Sequence, residues 1–226
     1  MNWTMSKSFI NYSHLSLIVC SLAFIACSRQ SKQETRVEAL PFYEEASFTP
    51  NWILESDVPQ DFHRIPSFTL VNQSGDSVTE EKLNGKVTVV DFFFTSCPGI
   101  CPKMTKNMKL VQEAFKDKAN AQIFSHSVTP EYDSIPILQA YAQEKGINEN
   151  KWQLLTGDRS VIYDLGRNHY FIEEDLGLEK DPEDFIHTEN FILLDQKRRI
   201  RGIYNGLNKA SIRQLIADAT ALLEDV

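Results

Sequence analysis

The run Lys86-Val-Thr-Val-Val-Asp-Phe-Phe-Phe94 constrains the fold more than any other stretch of the chain. Three valines and three consecutive phenylalanines leave it nearly apolar on both faces. It therefore reads as a strand buried inside a sheet rather than lying at a solvated edge. Such a strand needs helices above and below it, and the next residues supply one. Cys101, Met104, Met108, Val111 and Phe115 recur at intervals of 3, 4, 3 and 4, the stripe of a helix turned toward a core. The local order is strand, cysteine-bearing loop, helix.

The same theme recurs on either side. Ser67 to Val71 followed by Asn72-Gln-Ser-Gly-Asp76 predicts a strand entering a hairpin turn. Gln122 to Val128 predicts a second inner strand, and Ile135 to Lys145, stopped by Gly146, a second helix. Trp152 to Leu155 reads as a short strand and Arg159 to Leu165 as a short helix ended by Gly166. Phe191 to Asp195 and Ile200 to Tyr204 form a hairpin about Gln196-Lys197-Arg198, and the apolar spacing from Ile212 to Leu223 marks a terminal amphipathic helix. Strands alternating with helices imply an α/β fold with a parallel or mixed sheet covered on both faces.

With 23 basic and 31 acidic residues the net charge is -8, so no sequence-wide basic field exists to hold nucleic acid. No apolar run reaches the roughly 18 residues of a membrane-spanning helix. The N-terminus instead reads as an address. Residues 1–26 carry one cation, Lys7, then the mostly apolar 12-residue stretch Leu15 to Ala26, which matches the h-region of a signal peptide. It ends in Phe24-Ile25-Ala26-Cys27, similar to a bacterial lipoprotein cleavage box apart from Phe24 in place of the usual Leu. Residues 1–26 are expected to be removed and Cys27 lipidated, which would tether a soluble domain to a membrane surface. Residues 27–56, polar and then mixed with Pro41 and Pro50, are expected to be the tether, and residues 57–226 one domain. The loss of Lys7 leaves 22 basic against 31 acidic residues, a mature charge of -9.

Cys20 leaves with the signal and Cys27 takes lipid, so two thiols remain, Cys97 and Cys101, four positions apart. In an exported chain such a pair is a structural staple, a redox couple or a metal site. A bridge closing so short a loop constrains the unfolded chain little, which favours chemistry over stapling. Cys97 is expected just past the carboxyl end of the buried strand, where open α/β sheets place ligands, and Cys101 at the head of the next helix. Backbone N–H groups and the positive helix end are expected to favour both thiolates. Pro102 suits the first helical turn. Two such sulfurs form a soft claw suited to Cu(I), and an added imidazole suits Cu(II) also.

Gly85-Lys-Val-Thr-Val-Val-Asp-Phe-Phe-Phe-Thr-Ser-Cys97-Pro-Gly-Ile-Cys101-Pro resembles the signature of the SCO (SenC) family. Ser127-Val-Thr-Pro-Glu131, Leu155-Thr-Gly157 and Phe185-Ile-His187-Thr188 continue the likeness, over roughly residues 60–220. The resemblance implies a thioredoxin-like three-layer fold with a central mixed sheet and an N-terminal hairpin addition. It also implies a copper metallochaperone serving cytochrome c oxidase assembly in the periplasm of a bacterial cell envelope. Copper would then be held by Cys97, Cys101 and His187 and passed to the copper-binding oxidase subunit. The family often has Asp where this chain has Thr129, and Asp directly before the His, where this chain has Ile186. The second change removes a carboxylate that could orient the imidazole.

From the residues alone, His187 lies before an apolar strand and 86 residues beyond Cys101, so only the fold can unite the three groups. In thioredoxin-like reductases a proline holds the corresponding spot, whereas the last proline here is Pro182. An alternative is a thiol-disulfide oxidoreductase reducing the recipient's cysteines, with Cys97 attacking and Cys101 resolving. As a metallochaperone the chain has no catalytic residue. A peroxidase ranks last, since Thr95 is near but no matching Arg is. Zinc lacks further close ligands. His126 is expected as a packed or hydrogen-bonded core histidine, His63 and His169 have no role, and Met104 and Met108 belong to the core stripe. Glu173 to Asp184, with seven carboxylates against Lys180, reads as a solvated loop.

Overall fold

In the computed structural model the described residues are Met1, 39–173, 185–186 and 188–224. The expected signal peptide, Cys20 and Cys27, His187, and all of the acidic stretch except Glu173 lie outside them.

Strands β1 (Thr69–Asn72), β2 (Ser77–Thr79), β3 (Val87–Phe93), β4 (Ala121–Ser127), β5 (Trp152–Thr156), β6 (Asn190–Leu194) and β7 (Ile200–Asn205) form one sheet. Its order is β2-β1-β5-β4-β3-β6-β7. The inner pairs β3–β4 and β4–β5 are parallel and the remaining pairs antiparallel, so the sheet is mixed. β3 and β4 are buried at every residue. The apolar run that opens the sequence reading thus sits where full coverage demands it.

Helices α1 (Cys101–Phe115), α2 (Ile135–Lys145) and α4 (Lys209–Glu224) contribute to a core on one face, which holds Val87, Val89 and Phe93 of β3. The second face carries Val90 and Phe92 against α3 (Arg159–Asp164), Tyr170 and Ile172. All five residues of the predicted α1 stripe are at most 5% exposed. Gly146 closes α2 in the left-handed region at φ 64°, as its place at the end of the apolar period foretells.

Two departures from the sequence reading have clear physical causes. Gly166 does not stop a helix: the chain runs from α3 into a π-helical turn, Leu165–His169. A Cβ at Gly166 would lie 2.8 Å from Ile172 and 3.1 Å from Phe92, so its job is close approach. The expected tether is also packed from Leu40 onward. Phe42 is 1% exposed, stands edge-on to Phe62 at 5.7 Å, and pairs by a β-bridge with Asn51, while Tyr43 bridges Ile200 of β7. Arg201 lies 3.9 Å over the Phe42 ring and donates to the carbonyls of Leu40 and Pro41 at 2.6 and 3.0 Å. This segment covers part of an edge strand that would otherwise present unpaired backbone.

Candidate functional site

β3 ends at Phe93 and the chain turns through residues 94–100 into α1. The turn is held by Cys97 N–H donating to Phe94 O at 3.4 Å. The helix start is held by Lys103 and Met104 N–H donating to Ile100 O, both at 3.0 Å. Pro102 falls in the first helical turn, where its missing N–H costs nothing. Cys97 is half-buried and Cys101 buried, and both thiols are free.

The two sulfurs differ in character. Burial pushes the Cys97 thiol up, but hydrogen bonds from the Cys101 backbone and thiol and from the Gly99 and Ile100 N–H groups outweigh it, leaving Cys97 below an ordinary thiol. Burial pushes the Cys101 thiol up to about 12, a Phe94 backbone hydrogen bond opposes this, and the charges of Cys97 and Asp91 add to it. The expectation of two favoured thiolates therefore holds for Cys97 and fails for Cys101, which lies behind its partner, on the core side of the helix start.

Both cysteines line a cavity of about 310 Å³ together with Phe92, Phe93, Phe94, Val128, Ile186 and Thr188. Ile186 and Thr188 are 3% and 8% exposed. Phe185 stands edge-on to Phe94 at 5.3 Å. Thr188 Oγ1–H and Asn190 Nδ2–H donate to Ile172 O at 2.7 and 3.0 Å, and Asn190 N–H donates to Thr188 Oγ1 at 3.0 Å. The residues on either side of position 187 thus border the cysteine cavity. His187 itself lies outside the described residues. Among the described residues, no group of three His, Cys, Asp or Glu side chains could hold a metal ion.

The remaining histidines divide as their neighbours dictate. His126 is fully buried and stacks on Phe92 at 4.9 Å, with neither ring nitrogen hydrogen-bonded. His63 meets His169 O through Nε2 at 2.8 Å and packs on Phe171. Met104 and Met108 are core residues, 1% and 0% exposed. Thr95, the residue a peroxidase reading would use, donates its hydroxyl to Asp133 at 2.5 Å, which takes that proton away from any peroxide.

Sequence reasoning missed two buried carboxylates beside the cysteines. Asp91 shares the β3 face with Val89 and Phe93. It is 2% exposed, accepts from Ser125 Oγ–H and is pushed by burial to about 7. Asp133, 1% exposed, binds Thr95, Ser127 and Thr129. A single Asp inside an otherwise apolar strand was the available signal for the first. Nothing local marks the second.

The SCO1/SenC family model matches residues 56–224. The chain superposes on BsSco, a member of the Sco family of cytochrome c oxidase assembly proteins in which a disulfide switch has been identified. The TM-score is 0.61 at 30% identity, covering 72% of this chain and 94% of that one. A SCO1/SenC family lipoprotein from Bacillus anthracis gives a TM-score of 0.58 at 33% identity, covering 71% and 95%. Bradyrhizobium japonicum ScoI with copper bound gives 0.53 at 26%, covering 71% and 97%.

Proposed function

Because the chain belongs to the SCO1/SenC family, we propose that it carries one copper ion on Cys97, Cys101 and His187 and passes it to the copper-binding subunit of cytochrome c oxidase. The observation that carries this reading is the meeting of two free thiols with both chain neighbours of residue 187 around one cavity. Soft thiolates select Cu(I), and an imidazole extends the set to Cu(II). Cys97 offers a ready thiolate at the rim, while Cys101 must release its proton as the metal binds. With only three protein ligands, a coordination position remains open through which a recipient's ligands can attack, so the cargo moves by ligand exchange rather than by release to water. Lipid on Cys27 would keep this domain at the membrane of the cell envelope, on the periplasmic side, within reach of the oxidase. The B. anthracis lipoprotein supports that anchor.

The test is metal analysis of the reduced chain, repeated with Cys97, Cys101 and His187 replaced in turn. One copper per parent chain is expected. His187→Ala should weaken binding at least tenfold, the scale of losing a ligand or its orienting partner, with the fold intact. Copper binding unchanged in His187→Ala removes the imidazole from the site.

The inequality of the two thiols favours a second reading, a thiol-disulfide oxidoreductase that reduces the recipient's cysteines before metallation. A half-buried sulfur with thiolate character attacks and a buried one resolves the mixed disulfide. Reductase activity undiminished in His187→Ala, together with no copper uptake by the parent, selects this reading over the first.

A further inference from the structure

β3 and β4 leave the sheet side by side, and their last shared rung is Val128 N–H donating to Phe93 O at 2.9 Å. Beyond it the ladder stops, and a side chain takes over. Asp133 Oδ1 accepts the Thr95 hydroxyl at 2.5 Å. Its Oδ2 accepts Thr95 N–H at 3.2 Å, Ser127 Oγ–H at 2.6 Å and Thr129 Oγ1–H at 3.1 Å. Four donors on one buried carboxylate form a charge-assisted set, stronger per bond than neutral pairs. Two of them belong to Thr95, two residues ahead of Cys97, and the other two to the exit of β4.

We propose that Asp133 is a positioning residue for the Cys97–Cys101 pair, acting through Thr95. The carboxylate fixes the direction in which the chain leaves β3, and with it the separation and orientation of the two sulfurs. A thiol pair held ready in this way needs no ordering when it closes on a metal or into a disulfide, so the holding group contributes to both equilibria. This rests on the reading above that these thiols are the working groups.

Three variants of the full chain test it: Asp133→Asn, Thr95→Val and Ser127→Ala. Thr95→Val removes the hydroxyl bond on the cysteine side, and Ser127→Ala removes a bond of similar length on the β4 side. Two constants are read for each, Cu(I) affinity in competition with bicinchoninate and the equilibrium constant for closing the Cys97–Cys101 disulfide against dithiothreitol, alongside the urea unfolding midpoint. Thr95→Val is expected to lower both constants about tenfold, the scale of one charge-assisted hydrogen bond, and Asp133→Asn at least as much. Ser127→Ala should lower the unfolding midpoint while leaving both constants within about twofold. Unchanged constants in Thr95→Val overturn the proposal. So does an equal fall in Ser127→Ala, which would mark Asp133 as a purely structural staple. If the parent chain takes no Cu(I), the copper reading falls while the disulfide constant still decides the role of Asp133.

Discussion

Asp91 and His126 sit on opposite faces of the sheet, on adjacent strands, and each is held in its neutral form by burial. Asp91 titrates near 7 instead of 3.8, burial outweighing the Ser125 hydrogen bond, and His126 near 3 instead of 6.5. Protonated Asp91 contributes stability that is full below 3.8 and lost as pH rises through about 7. Neutral His126 contributes stability that is full above 6.5 and lost as pH falls toward about 3. Between pH 4 and 6.5 the folded state holds one extra proton on Asp91 and lacks one on His126, so the two slopes cancel, each worth about 1.4 kcal/mol per pH unit. Relative to the parent, Asp91→Asn should therefore lose stability on acidification across this window, and His126→Leu should gain it. Urea unfolding at half-unit steps of pH reads the slopes, and parallel curves for parent and Asp91→Asn would contradict the assignment. The polar residues inside β3 and β4 are visible in the sequence, yet their consequences are not. Ser125 is opposite Asp91 through strand register and Trp152 donates to Ser125 at 2.7 Å from a third strand, relations no local pattern encodes.

At the scale of elements, the turn after α3 packs against two residues of the cysteine cavity, Phe92 and Ile186. Gly166 approaches Ile172, Phe92 and Ile186, and a Cβ there would meet them at 2.8, 3.1 and 3.3 Å. All three neighbours are at most 3% exposed, so little room exists for them to give way. Gly166→Ala should cost about 1–3 kcal/mol by overpacking, read as a lower urea midpoint with unchanged slope. The strain also falls on Ile186, the neighbour of His187, so loss of copper uptake should exceed what the stability change alone explains; uptake at the parent's level would show that this packing does not locate residue 187. Most elements were legible in the sequence, because burial on two faces and the α1 stripe are strong periodic signals. Ile135–Lys145 even has the bounds its capping residues announce. The π-helical turn was not legible, since a glycine chosen for close packing looks the same as one that ends a helix. The cysteine half of the site was equally plain. Asp133 was not marked as part of it, because its contact with Thr95 spans 38 residues of chain.

For the whole molecule, the question is where the folding unit begins. The family match starts at residue 56, yet residues 40–55 are joined to the domain by contacts of their own. Phe42 is fully packed beneath two guanidinium groups, Arg201 at 3.9 Å and Arg199 at 4.8 Å. Glu55 accepts from Arg199 at 2.8 Å and from Lys197 at 2.6 Å, and its carboxyl is lowered because these hydrogen bonds outweigh its partial burial. Asp195, 2% exposed, sits between Arg199 at 2.7 Å and Arg201 at 3.3 Å, so the hairpin of β6 and β7 carries a buried charge cluster that residues 40–55 roof over. Removing the roof deletes a buried phenylalanine, worth about 3–5 kcal/mol. It also takes the Leu40 and Pro41 carbonyls from Arg201, although water reaching the uncovered guanidinium offsets part of that loss. At about 2–4 °C per kcal/mol for a domain of this size, a chain beginning at Asp57 should melt roughly 6–20 °C below one beginning at Leu40. Equal melting temperatures for the two truncated chains would mean that residues 40–55 lie on the domain without stabilising it, and that the family's boundary is also the boundary of folding.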